Sequence, residues 1–471
     1  MKHLISIMLA AVVAMLALSG CINDDFSSDP GDRLYFSTDT VAFDTVITLQ
    51  GSATKQFVVY NHSDKQINIS SITVPEAKGA KFYINVDGQK GSEFHDVAIR
   101  GGDSIYVFVE ATLDEVGSDD PVPVYGRIDF VTNGQTQSVT LAASGQDVVR
   151  LTGAILTQDT RFTAGRPYVI YDSLTVAPGV TLTIDPGARL LFHDKAFLQD
   201  FGTIKAMGTQ EQPIVMRGDR LDHVVGKIQF DIMSGQWGGV LIYAGSYGNE
   251  FHYVDMHSSS YGLQVGSTDP SKLSLHLFNS VLHNSKDYCM ITLNAQVTAE
   301  GCEFSDAASG CVAMVGGTMR FTQCTFANYY LFTAISGPNI AWFIQDDAKT
   351  YQPLDCRIYN CISYGLGYDV NISDNSANNI YTYNTLFKSG GNDDTRFFNC
   401  VWKADPKFYV DRDNYIFDYR LKNGSDAIGK GNNSYCPESC RYDRYGQDRF
   451  ARGTVDLGAY AWVPADTTAT K

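Results

Sequence analysis

Two positions in the middle of this chain repeat at one interval. Ser280, Cys302 and Cys324 stand 22 residues apart, and Cys289 and Cys311 are also separated by 22. Two registers that keep one period mean that the chain returns to the same place in space once per period. A repeat of this length is the mark of a solenoid, whose units pack only on their neighbours. The triplets around the marker agree: Phe278-Asn279-Ser280, Glu300-Gly301-Cys302, Thr322-Gln323-Cys324, Tyr359-Asn360-Cys361 and Phe398-Asn399-Cys400. In a parallel β-helix the coils stack about 4.8 Å apart, so equivalent residues form ladders. Cys302, Cys324, Cys361 and Cys400 are therefore expected as a mostly buried ladder of small thiols. Asn279, Gln323, Asn360 and Asn399 are expected in an amide stack or a turn. Evenly stacked thiols do not converge on one point, which argues against a metal or redox site among them.

The ladder is interrupted once. From 324 to 361 is 37 residues, 15 more than one coil. The extra length is expected within 329–357 as an elaborated loop or partial coil carrying Tyr329, Tyr330, Trp342, Phe343, Asp346, Asp347 and Tyr351. Long loops on a rigid scaffold are where binding concentrates, so Trp342 and Tyr351 are the candidate ligand-binding aromatics.

The order of segments from about Thr152 resembles a known family. Tyr171 to Gly187 holds two strand-plus-Pro-Gly units. Gly202-Thr203-Ile204-Lys205-Ala206-Met207-Gly208-Thr209, Pro213-Ile214-Val215-Met216 and Gly235-Gln236-Trp237-Gly238-Gly239-Val240 follow. This resembles the opening coils of bacterial right-handed β-helix proteins of the pectate-lyase-like superfamily, over roughly 150–460. Residues 404–462 leave the repeat. Asp443, Gly446, Arg449 and Asp456-Leu457-Gly458-Ala459-Tyr460 resemble the closing segment of such proteins, with Ala461 in place of the usual Glu. A solenoid needs its open end covered, so Asp443, Arg449 and Asp456 are read as parts of a cap held by internal ion pairs. Cys436 and Cys440 leave a local disulfide open; zinc is disfavoured because no second Cys or His pair is adjacent.

Residues 33–150 read differently. Lys55–Tyr60, Gln66–Ile72 and Ser104–Val109 are short alternating strands, with a turn at Asn61-His62-Ser63. About seven such strands fit a β-sandwich. The run Phe57 to Ile72 resembles the immunoglobulin-like modules that precede many bacterial surface domains, without their inter-sheet cysteine pair. The fold expected is all-β: an immunoglobulin-like β-sandwich followed by a right-handed parallel β-helix with a C-terminal cap.

The first residues bear on location. Met1-Lys2-His3 leads an apolar run from Leu4 to Leu18, which reads as a secretory signal. Leu18-Ser19-Gly20-Cys21 resembles the lipobox of bacterial lipoproteins, which implies lipidation of Cys21. Residues 21–32 are polar and acidic and read as a flexible tether. Asn23-Asp24-Asp25 resembles the surface-export signal of lipoproteins in some Gram-negative gut bacteria. An outer-membrane lipoprotein exposed at the cell surface is expected, with domains at 1–20 (signal), 21–32, 33–150, 151–403, 404–462 and a disordered tail at 463–471.

Net charge is −16, from 52 acidic and 36 basic residues. Phosphate binding needs clustered Lys and Arg, so nucleic acid is not an expected partner. The expected partners are the membrane, through the Cys21 lipid, and a polysaccharide. Two functions remain in view: non-catalytic binding of a glycan or other macromolecule, and polysaccharide cleavage. A purely structural or adhesive role stands between them. The resemblance to β-helix enzymes implies acidic residues with Ca²⁺ for a lyase; otherwise no cofactor is expected. A hydrolase needs two carboxylates within about 5–10 Å. The candidate catalytic carboxylates are Asp346, Asp347, Asp393 and Asp394, with Arg357 and Arg396 as basic partners. An Asn-Asp-Asp run such as Asn392-Asp393-Asp394 is more often a turn. His252 and His257, read on one strand, fall on opposite faces because their spacing is odd.

Overall fold

The structure is a computed structural model and describes residues 25–225, 228–343, 349–350, 352–370 and 379–464. Cys21 and the signal segment lie outside the described residues. Two compact units divide the chain, 1–147 and 148–471. Among the described residues the only helical turns are three short 3-10 segments, Phe230–Ile232, Asn433–Tyr435 and Glu438–Cys440.

The first unit is a sandwich of two five-stranded sheets. One holds Leu34–Phe36, Lys55–Asn61, Ser104–Leu113, Ala80–Val86 and Gln89–Gly91; the other holds Thr40–Ile47, Gln135–Gln146, Val122–Thr132, Ile67–Thr73 and Glu93–Ile99. Alternate residues point inward, and Phe57, Val59, Ile69, Val107, Val109, Phe130 and Leu141 form a core without cysteine. Ten strands replace the expected seven, because three-residue strands such as Gln89–Gly91 are too short to show a period. The turn after Asn61 is fixed by its buried side chain, which donates to the carbonyls of Lys65, Ile99 and Arg100. The described part of the expected tether is not loose. Ser27 N–H donates to Gln66 O, and Asn133 donates to Asp29 O, so 25–32 is docked on the sandwich. Backbone pairing, invisible in a polar composition, decides this.

The second unit is a parallel β-helix with three strands per coil in its regular part. Strands Glu303–Ala307, Gly310–Val315 and Gly317–Thr322 make one coil. Each pairs in parallel with its equivalents in the coils before and after. The solenoid therefore has three faces. The interior is apolar throughout, from Phe162 and Leu182 at one end to Ile358 and Ile380 at the other.

The marker ladder sits at one corner. Cys302, Cys324 and Cys361 have no exposed surface and Cys400 is partly buried; all are thiols. The residue before Ser280 and before each of these four cysteines is left-handed: Asn279, Gly301, Gln323, Asn360 and Asn399 have φ of 43°, 65°, 52°, 52° and 53°. Asn and Gly are the residues that adopt this conformation most readily. At Gly301 a Cβ would also fall 2.2 Å from Asn279 Oδ1. The alternative left by the sequence thus resolves to a turn.

The long coil keeps its three strands. Pro338–Phe343 pairs with Gly310–Val315 on one side and Tyr368–Val370 on the other. The extra length is therefore interrupted by the paired strand Pro338–Phe343 rather than forming one loop.

The C-terminal segment does more than end the solenoid. After Val401, which bridges Leu386, it turns back along the coils. Lys430 O accepts from Asn384, Asn432 exchanges two hydrogen bonds with Asn360, Asp456 O accepts from Gln323, and Tyr442 O accepts from Asn279. From Lys430 to Tyr442 the segment is a strap running antiparallel to coil order, and at Asp456 and Gly458 it returns to Gln323 and Asn360, so the left-handed corner supplies its anchors in both directions. Its apolar side, Phe408, Tyr419, Leu457 and Tyr460, covers Ala327, Ile362 and Leu386 on one face of the solenoid.

The expected ion pairs hold only in part. Asp456 pairs with Arg452 and accepts from the backbone of Gly429 and Trp462. Arg449, 2% exposed, instead donates to the carbonyls of Cys440, Gly458 and Ala459. Asp443 accepts from the backbone of Tyr445, Gln447 and Ala461. Cys436 and Cys440 are buried free thiols, so no disulfide closes the segment.

Candidate functional site

Most of the residues singled out by sequence do not assemble. Asp346, Asp347 and Tyr351 lie outside the described residues. Trp342 corrects an expectation. It is 5% exposed inside the solenoid, on a strand whose register sets it beside Met314 in the core. Strand alternation turns Trp342 inward and its neighbour Phe343 outward, so Trp342 is packing and presents no ligand surface. Asp393 accepts from the backbone of Asn399 and Cys400 and from the Trp402 indole; Asp394 accepts from the backbone of Arg396 and Phe397. Both carboxylates hold their own loop. Arg357 pairs with Asp355 and lies 4.3 Å over the Tyr381 ring.

His252 and His257 are separated for a different reason from the one read in sequence. They are not on opposite faces of one strand. Tyr253, left-handed at φ 49°, is the corner between Asn249–His252 and Val254–His257, so they stand on different faces of the solenoid.

The site the fold does build lies on the face made by Gly239–Ile242, Leu263–Gly266, Tyr288–Leu293, Gly310–Val315 and Pro338–Phe343. Val240, Ile242, Leu263, Val265, Met290 and Met314 fill the core. Leu241, Gln264, Ile291 and Ala313 alternate with them and point out. One step further along each strand the register aligns Gly266 with Leu293 and Leu293 with Val315 and Phe343. Tyr243 stands before Gly266, one position past the Ile242–Val265 pair.

Gly266 interrupts this row. Its backbone is not left-handed, and a Cβ there would meet nothing closer than 3.7 Å. The glycine is therefore not demanded by the turn; what it does is leave out a side chain. The result is a groove of about 730 Å³ lined by Tyr243, Gln264, Gly266, Asp287, Tyr288 and Leu293 among others. One face of the Tyr243 ring is covered by Phe201, 4.2 Å away and within 5° of parallel. The other looks along the solenoid over Gly266 toward Leu293, two coils on, about 10 Å away at the coil spacing. Tyr243, Leu293 and Phe343 are 36%, 43% and 48% exposed, so this wall is open to solvent. Burial, with Asp287 beside it, pushes the Tyr288 phenol up, keeping it a neutral hydroxyl. The groove thus offers aromatic and aliphatic walls with a few polar groups, the make-up of a ligand cleft. Sequence reasoning missed it because Tyr243, Gly266 and Leu293 are 23 and 27 residues apart. Only the positions of the corners reveal that they are neighbours.

No family profile matches the chain. Protein bark beetle of Drosophila melanogaster is 45% identical over 51 residues, 11% of this chain and 2% of that protein. The chain thus spans a small fraction of that relative. Among solved structures, the catalytic domain of a GH87 α-1,3-glucanase in complex with nigerose aligns over 74% of this chain and 86% of its own, at 10% identity and a TM-score of 0.17. A family 123 glycoside hydrolase from Clostridium perfringens aligns over 26% of this chain and 25% of its own, at 7% identity and a TM-score of 0.19. Likenesses at these scores carry no weight for function.

Proposed function

We propose that this chain is an exported lipoprotein, anchored in the outer membrane through Cys21 and exposed at the cell surface, whose solenoid binds a glycan in the groove over Gly266 without cleaving it. The lipobox-like Leu18-Ser19-Gly20-Cys21 supports the anchor. The open face of Tyr243 carries the rest. A pyranose presents C–H bonds on its flat side, and an aromatic face held rigid by a second ring is a suitable partner for them. The gap to Leu293 is long enough for a sugar ring, and Gln264, Asp287 and Tyr288 supply hydrogen-bonding groups at its edge. A groove running along stacked coils suits a chain ligand better than a compact one. Asp393 and Asp394 are turned into their own loop, which supports binding over cleavage by that pair.

A glycan array probed with the wild type and with Tyr243→Ala tests this. Binding to one class of glycan, weakened at least tenfold in the variant, supports it. Absence of binding, or equal binding by both proteins, overturns it. For the anchor, incorporation of labelled palmitate in the wild type and its loss in Cys21→Ser is the expected result.

A further inference from the structure

On another face of the solenoid three side chains converge. Asp255 and His257 lie two residues apart on Val254–His257, so both point outward while Met256 enters the core. His283, on the next coil, is paired directly with His257. The Nε2 of His283 is 3.2 Å from Asp255 Oδ1, and the Nε2 of His257 is 4.0 Å from the same oxygen. The three potential ligand atoms lie within 4.8 Å of one another. We propose that Asp255, His257 and His283 form a binding site for a divalent transition-metal ion of the zinc type, with a fourth position open to water or ligand.

The hydrogen bonding around His257 carries the inference. Its Nδ1 is 2.9 Å from Ser258 Oγ, and Ser258 Oγ is 2.5 Å from the carbonyl oxygen of Asp231. A carbonyl cannot donate, so the serine proton lies toward Asp231. Ser258 Oγ therefore accepts from His257, which places the ring proton on Nδ1 and a lone pair on Nε2. That lone pair faces the Asp255 carboxylate, an acceptor turned toward an acceptor. Such an arrangement is unfavourable with nothing between and is what a cation resolves. Fixing one ring nitrogen through an outer hydrogen bond, so that the other is presented to a metal, is the usual construction of such sites.

The remaining geometry fits. Zinc bonds of about 2.0–2.1 Å in a tetrahedron put ligand atoms about 3.3 Å apart, so the 4.0 Å separation closes with a small side-chain movement. The guanidinium of Arg444 is 3.9 Å from Asp255 Oδ2, leaving Oδ1 for the histidines. His257 is 6% exposed, and the side chains of His283 and Asp255 are 25% and 32% exposed, so an ion can enter. Two imidazoles and one carboxylate select a borderline metal over Ca²⁺, which takes oxygen ligands. The site is independent of the groove, on a different face, and stands or falls separately from glycan binding.

The experiment is titration of the chelator-treated protein with zinc chloride in competition with a chromophoric chelator, followed by substitution of Co²⁺. One ion per chain is expected. His257→Ala and His283→Ala should each lower affinity at least a hundredfold, and Ser258→Ala about 10–100-fold as an outer-shell change. The cobalt form should show weak visible bands without the strong near-ultraviolet absorption of a cobalt–thiolate bond. That separates this site from Cys436 and Cys440, whose serine variants should bind as the wild type does. Far-UV circular dichroism and His283→Gln guard against misfolding of a variant. Equal binding by the His257→Ala/His283→Ala double variant, thiolate absorption of the cobalt form, or no binding at micromolar zinc overturns the proposal.

Discussion

The hydroxyl of Tyr419 lies 2.6 and 2.8 Å from the two carboxylate oxygens of Asp306, a residue 113 positions earlier. Both groups are buried, and burial raises the Asp306 carboxyl to about 6. Tyr460 makes the same kind of contact with buried Glu303. The strap is thus joined to the solenoid by paired polar groups that water does not reach. Removing one partner of such a pair costs about 1–3 kcal/mol. Tyr419→Phe should lower stability by that amount in urea unfolding, and Tyr419→Phe/Tyr460→Phe by roughly the sum if the strap stays in place. A double variant no less stable than the wild type would mean that these contacts do not hold the strap.

Buried Asp200 gives a pH dependence of known sign. Its side chain has no exposed surface, and burial outweighs hydrogen bonds from Ser246 and the Gly202 backbone, raising it from 3.8 to about 6. A carboxyl raised in the folded state binds its proton more tightly there than in the unfolded chain, so folding gains as pH falls through 6 toward 3.8. Between pH 7.5 and 5 the gain is about 1.4 kcal/mol, tenfold in the folding equilibrium. Burial holds the His257 ring well below its ordinary 6.5, to about 3, and this works in the opposite direction. The measurement is therefore a difference: the wild type should gain about 1.4 kcal/mol over Asp200→Asn across that range. Parallel pH profiles would exclude it.

Gly266 can be filled without breaking the fold. A Cβ there makes ordinary contacts only, and the side chain extends into the groove. Gly266→Leu should leave the melting temperature within a few degrees of wild type while abolishing glycan binding. A glycine in a strand interior is itself mildly destabilising, so a small gain in stability is an acceptable outcome. Retained binding in this variant would place the ligand elsewhere.

The cysteines provide a test of the ladder. All nine from Cys289 to Cys440 are thiols, and burial pushes those of Cys289, Cys302, Cys311 and Cys324 well above the ordinary value. Reaction with a thiol reagent needs an accessible thiolate. The ladder cysteines should stay unmodified in the native protein except for slow labelling at partly exposed Cys400, and all nine should react after unfolding. Rapid native labelling of Cys324 would contradict a closed coil.

The solenoid was legible because its cause is periodic. Cys302, Cys324, Cys289 and Cys311 mark the coil length, and left-handed Asn360 and Asn399 mark its corners by their residue type. The candidate sites were not legible in the same way. Sequence reading favoured Trp342 because it is aromatic and lies in a long insertion. Alternation along Pro338–Phe343 put it in the core and left Phe343 outside. A one-residue difference in register exchanges the two roles, and the register is set by pairing with Gly310–Val315. Likewise, Asp393 and Asp394 have the residue type of a catalytic pair, but their oxygens accept from the loop backbone.

The sequence by itself determined that the chain is a sandwich followed by a stacked parallel β-helix, because alternation and coil period are local or evenly repeated and survive without coordinates. The tertiary structure decided which residues meet. His257 and His283 became neighbours because a corner at Tyr253 and a lateral pairing brought two coils into register, although nothing in their spacing of 26 residues marks them. The closing segment became a strap for the same reason. Its partners, Asn279, Gln323 and Asn360, are spread along the solenoid, and only stacking sets them in a line.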